Sequence, residues 1–299
     1  MKKIFMSGCG GMLGEAFYEV FKSDNDLKCT DIDLSEPWLE YLDFRNFDEY
    51  QKSVSEFKPD FIFHIGAHTD LEYCEDNIDD TYITNTISVE NAVNIANNLN
   101  IPILYISTAG IFDGSKEIYD DWDKPNPLCH YARSKYAAEI YTLQQAKYSI
   151  VLRAGWMMGG GPKKDKKFVA KLLKQIKDGA TSLNVVDDKL GTPTYTYDFA
   201  SNAKLIIEKE IWGLYNLVCQ GVTSRFEVAE KIISVLSLQE NIKLNKVDSS
   251  FFQDEYYAPR PASERLINKK LELRNLNKMR SWDVCLEEYL KNYYNDYLS

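Results

Sequence analysis

Short apolar runs alternate with longer amphipathic segments through the first half of the chain. Runs rich in β-branched and aromatic residues predict strands at Lys3–Met6, Leu27–Asp31, Phe61–Ile65, Ile103–Ser107 and Tyr148–Leu152. Apolar positions at helical spacing predict helices between these strands, near Met12–Phe21, Arg45–Phe57, Ile87–Leu99 and Ala132–Ala146. This alternation is typical of βαβ units around a parallel sheet. Ligands of such a sheet bind where its strands end, so candidate chemistry is sought there.

The second half of the chain has shorter elements. A loop rich in Gly and Lys, residues 155–167, separates it from the first half. The pattern predicts helices near Phe168–Lys177, Tyr197–Glu208, Arg225–Leu236 and Ser281–Tyr297. Thr223 and Ser224 precede the third of these, where a hydroxyl oxygen caps the first amides of a helix.

A glycine-rich loop follows the first predicted strand. Gly8, Gly11 and Gly14 have the spacing GxxGxxG and lead directly into a predicted helix. The first glycine permits a tight turn, the second lets backbone amides approach a pyrophosphate, and the third allows close packing of helix on strand. A merely structural turn is the alternative. If the loop binds a cofactor, the residues expected to contact it are Gly8, Gly10, Gly11, Met12, Leu13 and Gly14.

Together these patterns predict an α/β protein with a Rossmann-type doubly wound parallel sheet. We interpret residues 1–153 as the dinucleotide-binding domain. Residues 154–299 are interpreted as mainly a smaller C-terminal α/β substrate-binding lobe, with some segments returning to the core.

An acidic residue ends the second predicted strand. Asp31 would accept hydrogen bonds from the adenosine ribose hydroxyls and repel a 2′-phosphate. Because no Arg or Lys lies in the glycine loop or directly after Asp31, NADH is favoured over NADPH as the cofactor. A solvated turn carboxylate is the alternative, and Asp33 competes for the same role. Asp43 is a candidate for the adenine or for the cap of the following helix.

A YxxxK motif follows the loop after the fourth strand. Tyr131 and Lys135 are four residues apart, so on a helix they share a face. A tyrosine, whose pKa is ordinarily near ~10, becomes useful near neutrality when a cation favours its phenolate. Ser107 and Thr108 end the preceding strand, where a hydroxyl can polarise a carbonyl beside the tyrosine.

Charge and cysteine content restrict the partners. The chain has 35 Lys plus Arg against 45 Asp plus Glu, a net charge of −10 that disfavours binding to nucleic acid and to anionic membranes. The six cysteines form no CxxC pair, so neither zinc nor a disulfide framework is indicated. With no signal peptide and no apolar run near ~18 residues, a cytoplasmic protein is expected.

The motifs above resemble the extended short-chain dehydrogenase/reductase superfamily. Within it, further segments are similar in order and spacing to the dTDP-4-dehydrorhamnose reductase branch, from Lys3 to about Trp282. These segments are His64–Thr69, Asn85–Val89, Arg153–Trp156, Gly191–Thr194 and Arg260–Pro261. The resemblance implies NADH- or NADPH-dependent reduction of the 4-keto group of a dTDP-linked 6-deoxy sugar.

The resemblance also implies roles for individual residues. Thr108 would bind the 4-keto oxygen, Tyr131 would protonate it, and Lys135 would lower the tyrosine pKa and hold the nicotinamide ribose. The remaining implied contacts are Ala67, His68, Thr69 and Asn85 for the cofactor, and Trp156 and Arg260 for the substrate. Core packing is the alternative for Trp156, and a structural salt bridge is the alternative for Arg260.

One segment departs from the family pattern. The family commonly has Thr-Asp-Tyr-Val-Phe after this strand, whereas this chain has Thr108-Ala109-Gly110-Ile111-Phe112. Because Ala109-Gly110 supplies no acid beside the catalytic hydroxyl, a 4,6-dehydratase is disfavoured. A nucleotide-sugar epimerase remains an alternative. So does a non-catalytic nucleotide-binding subunit like the regulatory subunit of methionine adenosyltransferase.

Two patterns have simpler interpretations. His64 and His68 have HxxxH spacing but straddle a strand end, where side chains four apart are not neighbours, so no metal site is expected. The tyrosines of the C-terminal segment have helical spacing, which indicates core packing or the surface of a homodimer. They are Tyr289, Tyr293, Tyr294 and Tyr297.

Overall fold

A seven-stranded parallel sheet organises the chain in this computed structural model, which describes residues 1–298. The strands are β1 Lys3–Ser7, β2 Asp26–Asp31, β3 Leu39–Tyr41, β4 Phe61–His64, β5 Ile103–Thr108, β6 Ser149–Ala154, β7 Trp156–Met158, β8 Ser182–Val186, β9 Leu190–Gly191, β10 Pro193–Tyr195, β11 Gly213–Asn216, β12 Thr223–Ser224 and β13 Lys243–Val247. The order in the central sheet is β11-β6-β5-β4-β1-β2-β3.

Helices cover both faces of this sheet. They are α1 Met12–Phe21, α2 Phe47–Phe57, α3 Leu71–Asp76, α4 Ile78–Tyr82, α5 Ser88–Leu99, α6 His130–Gln145, α7 Gly161–Lys164, α8 Phe168–Lys177, α9 Thr196–Glu208, α10 Arg225–Val235, α11 Lys269–Leu273 and α12 Trp282–Tyr293. A π-helical turn, Ile83–Ile87, joins α4 to α5, and 3₁₀ turns occupy Ala109–Ile111 and Ser249–Phe252. The predicted α/β class and doubly wound sheet are confirmed.

Alternate residues of each central strand serve different cores. Ile4 and Met6 of β1 pack in the core that includes α1 and α9, while Phe5 packs in the core that includes α2 and α5. Because both faces of the sheet are covered, its strands are apolar at successive positions rather than alternating. This is the reason that short continuous apolar runs predicted them correctly.

Two strands of the central sheet were missed by the sequence pattern. Leu39–Tyr41 is three residues long, and Gly213–Asn216 begins with a glycine of φ +109°. Neither has enough apolar positions to form a periodic signal. The second of these strands, β11, pairs with β6, and helix α9 packs against α1. Both elements therefore belong to the central layers, although they come from the second half of the chain. The division at residues 153 and 154 stays a prediction.

Three strand pairs lie outside the central sheet, namely β7 with β10, β9 with β12 and β8 with β13. Helix α10 starts with a capping box, in which the Ser224 hydroxyl accepts from Glu227 N–H and the Glu227 carboxylate accepts from Ser224 N–H. Of the two hydroxyls expected there, Ser224 is the cap.

The C-terminal tyrosines belong to the core. Helix α12 ends at Tyr293, earlier than the predicted Tyr297, and Tyr289 and Tyr294 are fully buried. The six cysteines are buried free thiols. No helix within residues 1–298 has the length and apolar character that a membrane crossing needs.

Candidate active site

The glycine loop lies where the chain reverses its direction of winding across the sheet. Strands β2 and β3 lie on one side of β1, and β4, β5 and β6 on the other, so the crevice opens between the ends of β1 and β4. Gly8 has φ +76°, and a Cβ there would lie 2.1 Å from the Cα of Gly66 after β4. Only glycine fits this contact of two loop backbones.

The N-terminus of α1 is open toward this crevice. Gly11 is its N-cap residue, no side chain caps the helix, and a Cβ at Gly11 would meet nothing within 4 Å. Gly14, in contrast, lies against Cys9, whose carbonyl oxygen would be 2.3 Å from an added Cβ. Uncapped amides at a helix N-terminus bind anionic groups, so the loop fits the pyrophosphate of a dinucleotide.

Asp31 faces this loop from the end of β2. Its carboxylate accepts hydrogen bonds from Gly10 N–H at 2.8 Å and from Asp33 N–H at 2.9 Å. Asp33 is itself exposed and contributes its backbone to the turn. Of these two acids, Asp31 is therefore the one held against the glycine loop.

Asp43 is held by an arginine rather than by a helix. The Arg45 guanidinium contacts both carboxylate oxygens of Asp43, with the shortest distance 2.7 Å, and holds the pKa of Asp43 below its usual range. Asn46 caps α2 by accepting from Glu49 N–H. The alternative that Asp43 caps this helix is therefore wrong.

The two histidines of the HxxxH spacing have different partners. His64 Nδ1 lies 3.1 Å from Ser7 Oγ and 3.3 Å from the Tyr50 hydroxyl, and its Nε2 lies 3.2 Å from Ser88 Oγ. Burial, together with the charge of Lys135, lowers the pKa of His64 to about 3, so this ring is neutral and structural.

His68 lies in the loop after β4, and the side-chain amide of Asn85 fixes this loop. Asn85 Oδ1 accepts from His68 N–H at 2.8 Å, and Asn85 Nδ2 donates to His68 O at 3.0 Å and to Ser134 Oγ at 3.1 Å. Asn85 lies in the π-helical turn, and such turns occur often at functional sites. The predicted cofactor residues 67–69 are thereby tied to α6.

Thr108 and Tyr131 meet at the end of β5. The Thr108 hydroxyl accepts from Gly110 N–H at 3.1 Å and is hydrogen-bonded to the Tyr131 side chain. Burial raises the pKa of Tyr131 above its ordinary value, and the hydrogen bond to Thr108 acts in the opposite direction. The phenol therefore holds its proton at neutral pH, as a proton donor requires.

Lys135 is buried one helical turn further along α6. Its Nζ lies 4.4 Å from the centre of the Tyr105 ring and has no hydrogen-bond partner within residues 1–298. Burial lowers the pKa of Lys135 to about 7, and the charge of Glu139 opposes this. A buried amine without a partner fits a ligand hydroxyl in the crevice.

A carboxylate that the sequence pattern did not reveal lies in the same place. Glu264 Oε2 accepts from Trp156 Nε1 at 2.5 Å, and a Cβ at Gly110 would lie 3.1 Å from Glu264 Oε1 and 3.8 Å from a ring carbon of Tyr131. Ala109-Gly110 supplies no acid, as expected, but Glu264 brings one near the Thr108 hydroxyl from a segment far away in sequence. Only the unusual Ala109-Gly110 hinted that another residue fills this space.

Trp156 and Arg260 have protein partners of their own. The Arg225 guanidinium lies over the Trp156 ring, 3.6 Å from its centre. Arg260 contacts both carboxylate oxygens of Glu72, at 2.7 and 2.8 Å, as the salt-bridge alternative expected. Arg225 has no ion pair within the described residues, and its pKa is lowered to about 10 by burial. Nothing in its local sequence marked it.

The lysine-rich loop is engaged by the protein. Lys163 donates to Glu36 at 2.6 Å, buried Lys164 lies 3.2 Å from the same carboxylate, and Lys167 donates to Thr69 Oγ1 at 2.9 Å. These contacts tie the loop to Glu36, which follows β2, and to Thr69, which follows β4. Lys164 is buried, whereas Lys163 and Lys166 remain exposed, so the loop is in part a solvated surface.

The fold and these side chains define a nucleotide-binding α/β protein of the Rossmann type with a tyrosine–lysine pair in its crevice. More specifically, the family described as RmlD substrate binding domain matches residues 1–295, and the chain belongs to this family. The predicted resemblance is confirmed.

Relatives of known name match over nearly the whole chain. The dTDP-4-dehydrorhamnose reductase of Aggregatibacter actinomycetemcomitans is 30% identical over 283 residues, which are 91% of this chain and 92% of that relative. Among solved structures, the dTDP-4-dehydrorhamnose reductase of Yersinia enterocolitica has a TM-score of 0.87 at 30% identity and covers 98% of this chain and 100% of its own. That of Bacillus anthracis, solved in complex with NADP, has a TM-score of 0.87 at 26% identity, covering 98% and 99%.

Proposed function

We propose that the protein reduces the 4-keto group of a nucleotide-linked 6-deoxy sugar, which is the reaction after which its relatives are named. The observations that carry this proposal are the contact of Thr108 with Tyr131, the buried Lys135 one turn further along the same helix, and the uncapped N-terminus of α1 after the glycine loop. A bound nicotinamide dinucleotide would supply the hydride. Gly10, Gly11, Met12 and the other loop residues would hold its pyrophosphate, with Lys135 and Asn85 near its nicotinamide end.

The chain itself controls the proton. Thr108 would donate a hydrogen bond to the carbonyl oxygen, and Tyr131 would transfer its phenolic proton to the same oxygen as the carbon is reduced. Burial keeps the phenol protonated at neutral pH, which is the form from which the proton would be transferred. After the transfer, the charged form of Lys135 and the Thr108 hydroxyl would stabilise the phenolate.

Cations from the second half of the chain would bind the nucleotide diphosphate. We assign this contact to Arg260, as the resemblance implies, and add Arg225, because Arg225 lacks an ion pair within residues 1–298 and Arg260 already pairs with Glu72. Trp156 lies between Arg225 and Glu264 and would face the sugar.

The direct test is oxidation of NADH and NADPH in the presence of dTDP-4-keto-6-deoxy sugar. We expect turnover that depends on this sugar nucleotide, followed at the nicotinamide absorbance. A protein that binds the dinucleotide and the sugar nucleotide without turnover would contradict the proposal and favour a binding subunit. Tightly retained NAD with interconversion of two 4-hydroxy sugars would instead favour an epimerase.

Coenzyme choice depends on Asp31. We expect kcat/KM to be higher with NADH than with NADPH, because this carboxylate repels a 2′-phosphate. Asp31→Ser should lower kcat/KM for NADH by about tenfold and raise the NADPH/NADH ratio by at least that factor, since one good charged hydrogen bond is lost. Asp33→Ser is the matched control and should leave the ratio unchanged. Preference for NADPH in the parent protein, as the NADP complex of the Bacillus anthracis relative suggests for that protein, would overturn this assignment.

A further inference from the structure

One charged group in the crevice has no part in the proposed chemistry. Glu264 is half-buried, and its Oε1 has no hydrogen-bond partner within residues 1–298. Its Oε2 is fixed by Trp156 Nε1 at 2.5 Å. Because this oxygen is not fully buried, it can accept a hydrogen bond from a molecule bound in the crevice.

The backbone holds Glu264 firmly in this position. Glu264 N–H donates to Leu190 O at 2.8 Å, and Ser263 forms a β-bridge to Leu190. Gly191, the next residue, supports the Trp156 ring, since a Cβ there would lie 2.1 Å from a ring carbon. Carboxylate and indole are therefore positioned by the same short strand.

The free oxygen lies near the two side chains that would bind the carbonyl oxygen of the substrate. It lies 3.1 Å from the Cβ position of Gly110, a position that is also 3.5 Å from Thr108 Oγ1 and 3.8 Å from the Tyr131 ring. A sugar whose carbonyl oxygen is bound by Thr108 and Tyr131 brings the substituents of its two neighbouring carbons to this place. In a 4-keto-6-deoxy sugar these are a hydroxyl on C3 and a methyl on C5, and only the hydroxyl donates a hydrogen bond.

The charges around Glu264 favour a neutral donor. Arg225 is stacked on the Trp156 ring, to which Glu264 is hydrogen-bonded, and the negative charge of Glu264 stabilises the arginine. Because this neighbouring cation, without an ion pair to Glu264, offsets part of the negative charge of the carboxylate, the site does not need an ammonium group on the sugar.

We propose that Glu264 is a specificity-determining residue that accepts a hydrogen bond from the hydroxyl on the carbon next to the reduced carbonyl. The inference rests on the proposed function and adds the group that selects this sugar. Glu264, from the second half of the chain, supplies the hydrogen-bond acceptor that Ala109 and Gly110, which have no polar side chain, do not supply.

The test compares two substrates in each variant. For Glu264→Ala we expect kcat/KM to fall about 10–100-fold with the 3-hydroxy substrate and less than threefold with its 3-deoxy analogue, because a hydrogen bond to a charged group is lost only in the first. Glu117→Ala is the matched control, because it removes an exposed carboxylate that pairs with Arg265, the residue after Glu264. It should leave kcat/KM unchanged with both substrates. Equal losses with both substrates, no loss, or a preference for a 3-amino analogue would each overturn the assignment.

A conservative variant separates this role from a structural one. Glu264→Gln keeps an acceptor for both Trp156 and the sugar hydroxyl and loses only the charge, so it should restore part of the kcat/KM that Glu264→Ala loses with the 3-hydroxy substrate. The same loss in both variants would contradict a hydrogen-bonding role. Loss of water from a 6-hydroxy sugar nucleotide with NAD⁺, abolished in Glu264→Gln, would assign the carboxylate as an acid and overturn its binding role.

Binding measurements distinguish a failure of this contact from a failure of the proposed function. Should the parent protein reduce neither substrate, the reductase assignment fails, and calorimetric titration with the reduced 3-hydroxy and 3-deoxy nucleotide sugars replaces the kinetic comparison. Weaker binding of the hydroxylated ligand alone in Glu264→Ala would still support the contact. Equal affinities of parent and variant would overturn it.

Discussion

Tyr131→Phe is expected to lower kcat by about 10²–10⁴-fold, because the variant keeps the ring and loses the phenolic proton that the proposed mechanism transfers to the carbonyl oxygen. Binding of the dinucleotide should change little, since the phenol is hydrogen-bonded to Thr108 rather than to the glycine loop. The measurement is kcat together with the Kd for NADH from fluorescence titration. Both values are needed to separate lost chemistry from lost binding.

The control for this variant lies on the same helix. Tyr141 is half-buried on α6 and its hydroxyl donates to Asn94 at 3.3 Å, away from the crevice. Tyr141→Phe should retain full turnover. Undiminished kcat in Tyr131→Phe would contradict the proton-donor role and with it the mechanism.

Lys135→Met is expected to abolish turnover and yet to stabilise the fold. Burial lowers the pKa of Lys135 to about 7, whereas in the unfolded chain it is near ~10.5. Below about pH 7 both states carry the proton, and the folded protein bears the whole cost of the buried charge. Between these two pKa values only the unfolded chain keeps the proton, so the stability of the parent protein rises with pH.

The size of this effect is measurable by denaturant unfolding. From about pH 6 to about pH 9 the titration of this one group should add ~2–3 kcal/mol to the unfolding free energy of the parent protein. Lys135→Met should lack this increment and be more stable than the parent at the lower pH. Lys147→Met, at the surface beyond the end of α6, is the control and should follow the parent. A parent protein whose stability is the same at both pH values would show that Lys135 is not held in a dry environment.

The proposed catalytic pair could be located from the sequence because its signal is local. Tyr131 and Lys135 lie on one helix, and Thr108 ends the strand that precedes it, so spacing and the carboxyl-end rule for parallel strands sufficed. The glycine loop was equally accessible, since strand, turn and helix are consecutive in the chain. Asp31 followed from the next strand.

Other residues depended on contacts across long separations. Glu264 lies 108 positions from Trp156, to which it is hydrogen-bonded, and Arg260 lies 188 positions from Glu72. No periodicity or motif relates such pairs, because their proximity arises only when the second half of the chain folds over the sheet. The acid beside Thr108 was missed for this reason.

The sequence by itself determined the βαβ order, the doubly wound parallel sheet, the glycine loop and the tyrosine–lysine pair, because each depends on hydrophobic periodicity or on spacing within one or two elements. Only the tertiary structure decided that Arg45 binds Asp43, that β11 and α9 belong to the central layers, and that Glu264 lies against Trp156 and near Thr108. These features depend on side chains and strands that meet through packing, and the energy of packing is a property of the whole fold.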